Sequence, residues 1–342
     1  MPAMSGGVSC RWLLCGLTLL ACGCEQRPTV HRAAAAREVM GTLATLTAVA
    51  ADEAVAAAAV ERGYARLEDV NRLMSDYTAE SEIGRVNQLL AGQSVILSTE
   101  TFQCIRQGLE VGRASGGAFD ITCRPFVALW KKSASLGRLP TEEELARTRQ
   151  LVGPDRLILS FADRSVSPAV NGVQVDLGGI AKGYALDLAA AAMRQAGAAS
   201  VCVDVGGDVL ALGSAADGRP WRIGVKHPFQ EGLVAVLLLS DRAVATSGVQ
   251  QRFHEIDGRR YSHIIDPRTG WPAEQAPSVT VIAADGITAD AWATAFSVLS
   301  IEEGRRLIAE GRTPDLEVMW IIGGGESPAI ETTDGFGRFV AQ

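Results

Sequence analysis

Three groups of residues have types and spacings that can do chemistry on a phosphate ester. Asp290 and Thr294 stand four positions apart in Thr288 to Leu299, a stretch that reads as a helix, so a carboxylate and a hydroxyl project from one side of its first turns. One carboxylate and one hydroxyl do not complete a site. Yet Mg²⁺ takes only one or two carboxylates from a protein and fills its octahedron with water and substrate phosphate oxygens. The same spacing also fits a solvated aspartate that only favours the helix dipole. Lys182 follows Gly178-Gly179 in the run Val-Gln-Val-Asp-Leu-Gly-Gly-Ile-Ala-Lys-Gly-Tyr, from Val173 to Tyr184. An ammonium beside the free N–H groups of a helix start can hold a phosphate, although many such turns carry two glycines for steric reasons only. His263 follows a hairpin signal at Asp257-Gly258, which delivers an imidazole to a fixed place. A lone histidine in such a place is more often a structural residue than a catalyst.

The elements that must position these groups can be read from patterns. Val173, Val175 and Leu177 alternate as a strand, Gly178-Gly179 is a tight turn, and the Ala-rich run from Ile180 to Ala196 is a helix stopped by Gly197. Ser200 to Leu212 is a strand pair pinched at Gly206-Gly207-Asp208, followed by strands at Trp221 to Lys226, Val234 to Leu239 and Ala243 to Thr246. Arg252 to Ile256 and Arg260 to Ile265 flank the Asp257-Gly258 turn, and Asp266-Pro267-Arg268-Thr269-Gly270 is a further turn. Val279 to Ala283 is a strand, Ala284-Asp285-Gly286 a turn, and Thr288 the N-cap of the last helix read here. Upstream, Val39 to Val49 has strand composition, Ala51 to Leu73 a helical stripe at Leu67, Val70 and Leu73, and Thr99 to Ser115 a second helix. Tyr77, in the polar loop after the first helix, either stacks on a planar ring or caps the edge of the core. Gly116-Gly117-Ala118-Phe119-Asp120-Ile121-Thr122 reads as glycines before an apolar strand, where backbone approaches a ligand closely. Lys131 to Gln150, a loop and charged helix, and Leu157 to Val170, a hairpin around Ala162-Asp163-Arg164, read as structural.

Arg11 precedes an apolar run from Trp12 to Ala21 that is too short to span a bilayer but suits a secretory signal peptide, assigned to residues 1–21. Leu19-Leu20-Ala21-Cys22 resembles a bacterial lipobox with Cys22 as the lipidated residue; Cys24 is a poorer match, and an ordinary signal peptide is the alternative. Residues 22–37 read as a tether, with no strand or strong helix signal from His31 to Ala36, and residues 38–342 as one compact domain with subdomains. A net charge of −7 argues against nucleic acid as a partner. Outside the leader, Cys104, Cys123 and Cys202 lack metal-ligand spacing and read as buried apolar residues.

Met40-Gly41-Thr42, Ser75-Asp76-Tyr77 with Ser81-Glu82 and Asn87, Gly117-Ala118-Phe119-Asp120, Asp176 to Tyr184, Gly206-Gly207-Asp208, Tyr261 to Pro267 with Thr269-Gly270, and Ala289-Asp290-Ala291 with Thr294 occur in this order. Together they resemble the ApbE-type FAD:protein FMN transferases, over nearly all of residues 38–300; each motif is common, their conjunction specific. Asp208 departs from the asparagine frequent in that family. The resemblance implies an α+β, ApbE-like (T-fold-like) domain with mixed or antiparallel sheets flanked by helices and an active site between subdomains. It implies FAD as cosubstrate and Mg²⁺ as metal. Met40, Tyr77, Ala118, Phe119, Asp120, Asp176, Lys182 and Ile264 then stand where the family contacts FAD, with Tyr77 near the isoalloxazine ring. Gly179 would give the metal a backbone carbonyl, Asp290 and Thr294 side-chain oxygens, and His263 matches the histidine proposed as base. The implied reaction passes FMN from FAD to a threonine or serine hydroxyl of an acceptor flavoprotein and releases AMP. Many members are lipoproteins on the periplasmic face of the inner membrane. The same constellation would serve a Mg²⁺-dependent FAD pyrophosphatase, and a non-catalytic flavin-binding lipoprotein is a further reading.

Overall fold

The structure, a computed structural model, describes residues 1–3, 30–248, 253–274, 276–323 and 328–342. Most of the leader, including Cys22 and Cys24, and Arg252 of the first hairpin arm lie outside the described residues. The N-terminal part holds β1 (His31–Val39), β2 (Thr42–Ala50), α1 (Glu53–Met74), α2 (Glu82–Val86), β3 (Val95–Ile96) and α3 (Thr99–Ala114). The middle holds α4 (Arg124–Ser135), α5 (Glu142–Arg149), β4 (Leu157–Ser160), β5 (Ser165–Pro168), α6 (Ala181–Gln195), β6 (Ser200–Val205) and β7 (Asp208–Leu212). Then come β8 (Trp221–Lys226), β9 (Leu233–Leu239), β10 (Arg242–Gly248), β11 (Phe253–Ile256) and β12 (Arg259–Ser262). The chain ends with β13 (Ser278–Ala283), α7 (Gly286–Val298), α8 (Ile301–Ala309), β14 (Leu316–Ile322) and β15 (Ala329–Thr332).

An eight-stranded sheet in the order β1-β2-β6-β7-β10-β13-β14-β15 is the frame, every neighbouring pair antiparallel. Two cores cover it. On one face Leu46, Ala48, Val203, Ala245 and Val281 pack under the apolar sides of α1, α6 and α7. On the other, Val209, Ala211, Val244, Ile282 and Ile321 meet Trp221, Leu237 and Leu239 of the β8–β9 hairpin, with Phe336 closing the end. Alternating side chains supply both cores, so each central strand must be apolar on both faces. A third, separate cluster of Phe126, Leu129, Trp130, Leu145, Ile256, Tyr261 and Ile265 joins α4 and α5 to the β11–β12 hairpin. The hairpin that precedes His263 is therefore carried by α4, not by the large sheet.

Four expectations are corrected. The stretch from His31 to Ala36, read as part of the tether, forms most of β1 and pairs residue for residue with β2, from His31↔Ala50 to Val39↔Thr42. Alanine has little strand preference of its own; β2 and α1 impose it, for the Tyr64 hydroxyl reaches the carbonyl oxygens of Ala35 (2.7 Å) and Ala44 (3.0 Å). Val173 to Leu177 is extended but joins no sheet. Its backbone is instead held by Asn87, whose Nδ2 donates to the Val175 carbonyl (3.0 Å) and whose Oδ1 accepts from the Val175 amide (2.6 Å). Ala118 to Thr122 is likewise a loop, and α7 is capped by Asp285, which accepts from the Thr288 amide at 2.9 Å, so that Thr288 is not the N-cap.

Asp187, on α6, also serves the start of α7: its carboxylate accepts from the amides of Gly286 (2.6 Å) and Ile287 (2.9 Å). These N–H groups have no partner inside their own helix. Burial nevertheless pushes the Asp187 carboxyl up to about 7, against the lowering influence of both bonds. Between about pH 4 and 7 the folded chain thus holds a proton that the unfolded chain has released, so this group's stabilisation is present at low pH and is lost as pH rises through that window. Asp187→Asn is expected to flatten the pH dependence of stability between pH 5 and 8 by roughly 2–3 kcal/mol, read from urea midpoints of both proteins. An equal slope in the two would contradict it.

Candidate active site

Helices α6 and α7 cross with their backbones in contact, and the crossing sets the site. Ile180, the residue before α6, gives no side-chain cap, so the first amides of the helix must find partners elsewhere. The Ala181 amide donates to Leu177 O (2.8 Å) and the Gly183 amide to Oδ2 of Asp290 on α7 (2.9 Å). A Cβ at Gly183 would stand 2.1 Å from the Gly286 carbonyl oxygen and 2.7 Å from Asp290 Cβ, so only glycine permits this approach. Asp290, 3% exposed, keeps its other oxygen, Oδ1, 3.6 Å from Lys182 Nζ. Lys182 makes its closer ion pair with Asp208, which is 2% exposed. Asp208 opens β7 and also accepts from the Thr246 amide (3.1 Å), just beyond Val244↔Val209 where the β7–β10 ladder stops.

One turn along α7 from Asp290, Thr294 meets the glycine turn. A Cβ built on Gly179 would lie 3.0 Å from Thr294 Oγ1 and 3.2 Å from Phe119 Cε2. Thr294 Oγ1 is also 3.2 Å from Ser247 Oγ on β10. Gly179 thus meets Thr294, one turn along α7 from Asp290, and Lys182 stands beside Asp290. A carboxylate, a hydroxyl and a peptide carbonyl are hard oxygen donors of the kind Mg²⁺ prefers, and one carboxylate suffices when substrate phosphates complete the shell. Among the described residues no group of three or more His, Cys, Asp or Glu could hold a metal.

The facing wall is made of loops. The Asp120 carboxylate accepts from the amide and hydroxyl of Thr122, both at 2.7 Å, while its burial raises the carboxyl above the usual aspartate range. The Asp176 amide donates to Ile121 O (2.8 Å) and its Oδ1 accepts from the Gly178 amide (2.7 Å), which binds the 118–122 loop to the glycine turn. The Cys123 thiol is pushed well up, first by burial and then by the charges of Asp120, Asp176 and Asp266. Arg268 pairs with Asp266 (2.9 Å) and Glu303 (3.1 Å), and its Cγ would lie 3.5 Å from a Cβ on Gly117. Trp130 Nε1 donates to Gly270 O (2.8 Å) and pins the same turn to α4. His263 is half-buried and engaged with its surroundings, directly after β12; Ile264 packs against the main core and its carbonyl accepts from the Ala273 amide at 2.8 Å.

Met40 is half-buried at the β1–β2 turn with φ of +54°, beside the Gly206-Gly207 turn; a Cβ on Gly206 would sit 2.9 Å from Thr42 Oγ1. Ala118 and Phe119 are buried next to Gly179's side of the site. Tyr77 is 91% exposed, which removes the reading that its ring caps the core. Its loop is nonetheless fixed, since Arg124 at the start of α4 pairs with the Asp76 carboxylate and donates to the Asp76 carbonyl (3.2 Å). Ser247 is a site residue that the pattern of the chain does not reveal: it lies within β10, one position past the strand read from Ala243 to Thr246, and carries no chemical signal of its own.

The chain is similar to known proteins over most of its length. A FAD:protein FMN transferase of Vibrio cholerae is 33% identical over 280 residues, 80% of each chain. One from Salmonella typhimurium is 30% identical over 331 residues, 93% of each chain. Among solved structures, the ApbE protein of Thermotoga maritima superposes with a TM-score of 0.81 at 30% identity, covering 91% of this chain and all of that one. The flavin transferase ApbE of Vibrio cholerae does so with a TM-score of 0.78 at 29% identity, covering 91% of this chain and 99% of that one. The family model described as the ApbE family matches residues 40–320, and the chain belongs to that family.

Proposed function

We propose that this protein is a Mg²⁺-dependent FAD:protein FMN transferase that moves FMN from FAD to a threonine or serine hydroxyl of an acceptor flavoprotein and releases AMP. The observation that carries the proposal is the packing of Thr294 against Gly179 and of Asp290 against Gly183 at the α6–α7 crossing, with the Lys182 ammonium 3.6 Å from Asp290 Oδ1. Mg²⁺ bound by these oxygens would neutralise charge on the FAD diphosphate, which phosphoryl transfer needs more than covalent machinery. Lys182 adds a second positive charge to the same phosphates. Tyr77, free of the core, offers a face for the isoalloxazine ring, and Met40, Ala118, Phe119, Asp120, Asp176 and Ile264 shape the pocket around the dinucleotide. His263 takes the proton of the acceptor hydroxyl as its oxygen forms a bond to the FMN phosphorus; the bond from that phosphorus to the bridging oxygen breaks, and AMP leaves with it.

The transferase names of the relatives favour this reading over hydrolysis. Incubation with FAD, Mg²⁺ and an acceptor, followed by denaturing electrophoresis, separates the possibilities. Flavin fluorescence on the acceptor band supports transfer; free FMN alone would mean a pyrophosphatase, and FAD recovered intact without AMP a binding protein. We place the protein, on the leader sequence, at the periplasmic face of the inner membrane through a lipid on Cys22. Among the described residues no helix is long and apolar enough to cross a membrane. Labelled palmitate should enter the full chain and not its Cys22→Ser variant; equal labelling of both would exclude that anchor.

A further inference from the structure

Lys182 lies between two buried carboxylates that are not equivalent. Asp290 commits Oδ2 to the Gly183 amide at 2.9 Å, so Oδ1 is its oxygen left for a cation. The Lys182 ammonium, 3.6 Å from Oδ1, is close enough to compete for it. Its direct partner is Asp208 instead. Asp208 is held in place without help from Lys182: it pairs with Val205 at the start of β7, and its Oδ1 accepts from the Thr246 amide at 3.1 Å. That leaves Oδ2 for the ammonium.

We infer that Asp208 is a positioning residue that draws the Lys182 ammonium off Asp290 Oδ1, keeping that oxygen open to a divalent cation while leaving the ammonium within reach of the bound phosphates. The inference rests on the cation reading above. Two carboxylates flank one ammonium here, so the cluster lacks one positive charge, and a neutral residue at 208 removes that deficit. Lys182 would then have only Asp290 to pair with. It would turn to Oδ1 and compete with the metal.

Asp208→Asn isolates this effect. Its amide oxygen can still accept from Thr246, but an NH₂ group faces Lys182 and cannot accept from it. Mn²⁺ alone serves as the probe, binding to the full chain without FAD and followed by the paramagnetic resonance of free Mn²⁺. Asp208→Asn is expected to raise the Mn²⁺ dissociation constant about tenfold or more, the low end of what outer groups around a metal site contribute to affinity. Adding Lys182→Met to Asp208→Asn should restore affinity to within about threefold of the original chain, because the competing ammonium is gone. A purely structural Asp208 predicts no such rescue. Unchanged Mn²⁺ affinity in Asp208→Asn, or a double variant as weak as the single one, overturns the inference while Asp290→Asn still abolishes binding. Mn²⁺ binding that Asp290→Asn leaves intact overturns the cation reading and this inference together.

Discussion

Asp290→Asn is expected to lower FMN transfer by a factor of about 10³ at moderate Mg²⁺, the scale of losing one preorganised charge-stabilising group. The change is nearly isosteric, and its amide oxygen can still accept from the Gly183 amide, so the α6–α7 crossing is kept. Its negative charge is lost. The site would then offer a metal only neutral oxygens, from Thr294 and the Gly179 backbone, next to a Lys182 ammonium that keeps only its Asp208 partner. The deficit should shrink as Mg²⁺ is raised, since the lesion lies in cation affinity. Steady-state transfer measured over a Mg²⁺ titration, with thermal unfolding of both proteins as the control for folding, reads this directly. A variant that transfers at the original rate at low Mg²⁺ would remove the metal from the mechanism.

His263→Ala should cost about 10²–10⁴ in transfer at saturating FAD and acceptor, the usual range for a positioned general base. FAD affinity should be unchanged. The hairpin before His263 is fixed by Phe126, Trp130, Ile256 and Tyr261, a cluster separate from the main core that positions Lys182 and Asp290, so the substitution leaves the diphosphate grip in place. Binding of FAD by the variant, followed through flavin fluorescence, and its transfer rate should therefore part company. Full transfer by His263→Ala would exclude the base role. Equal losses in binding and transfer would make His263 a binding residue.

How much of this could be read from the chain differs by residue. Gly183 shows the limit well. As a residue it is one more helix-start glycine, yet its place against the Gly286 carbonyl is what lets Asp290 reach the first turn of α6. The four-residue spacing of Asp290 and Thr294 was legible because helical periodicity alone puts both on one side. Their meeting with Gly179 was legible only through the family resemblance, since no local pattern reports a contact between segments more than a hundred positions apart. The β11–β12 hairpin followed from Asp257-Gly258, whose φ values of +51° and +73° are those a tight turn demands. β1 was hidden, because an Ala-rich edge strand takes its conformation from the neighbour it pairs with. Val173 to Leu177 misled in the opposite direction: its alternation is real, with Val173, Val175 and Leu177 all buried, but Asn87 and Ile121 satisfy its backbone where a strand would. Asp208, part of a turn motif in the sequence, proved to be the direct partner of Lys182.

The most direct measurement follows both products of one reaction. The chain is incubated with FAD and an acceptor flavoprotein over rising Mg²⁺, with a chelator arm, while free AMP and acceptor-bound FMN are counted. The two should appear together, one for one, rise with Mg²⁺ and stop with the chelator. AMP released at the same rate with the metal removed, or released without flavin on the acceptor, would contradict metal-assisted transfer of FMN by this site.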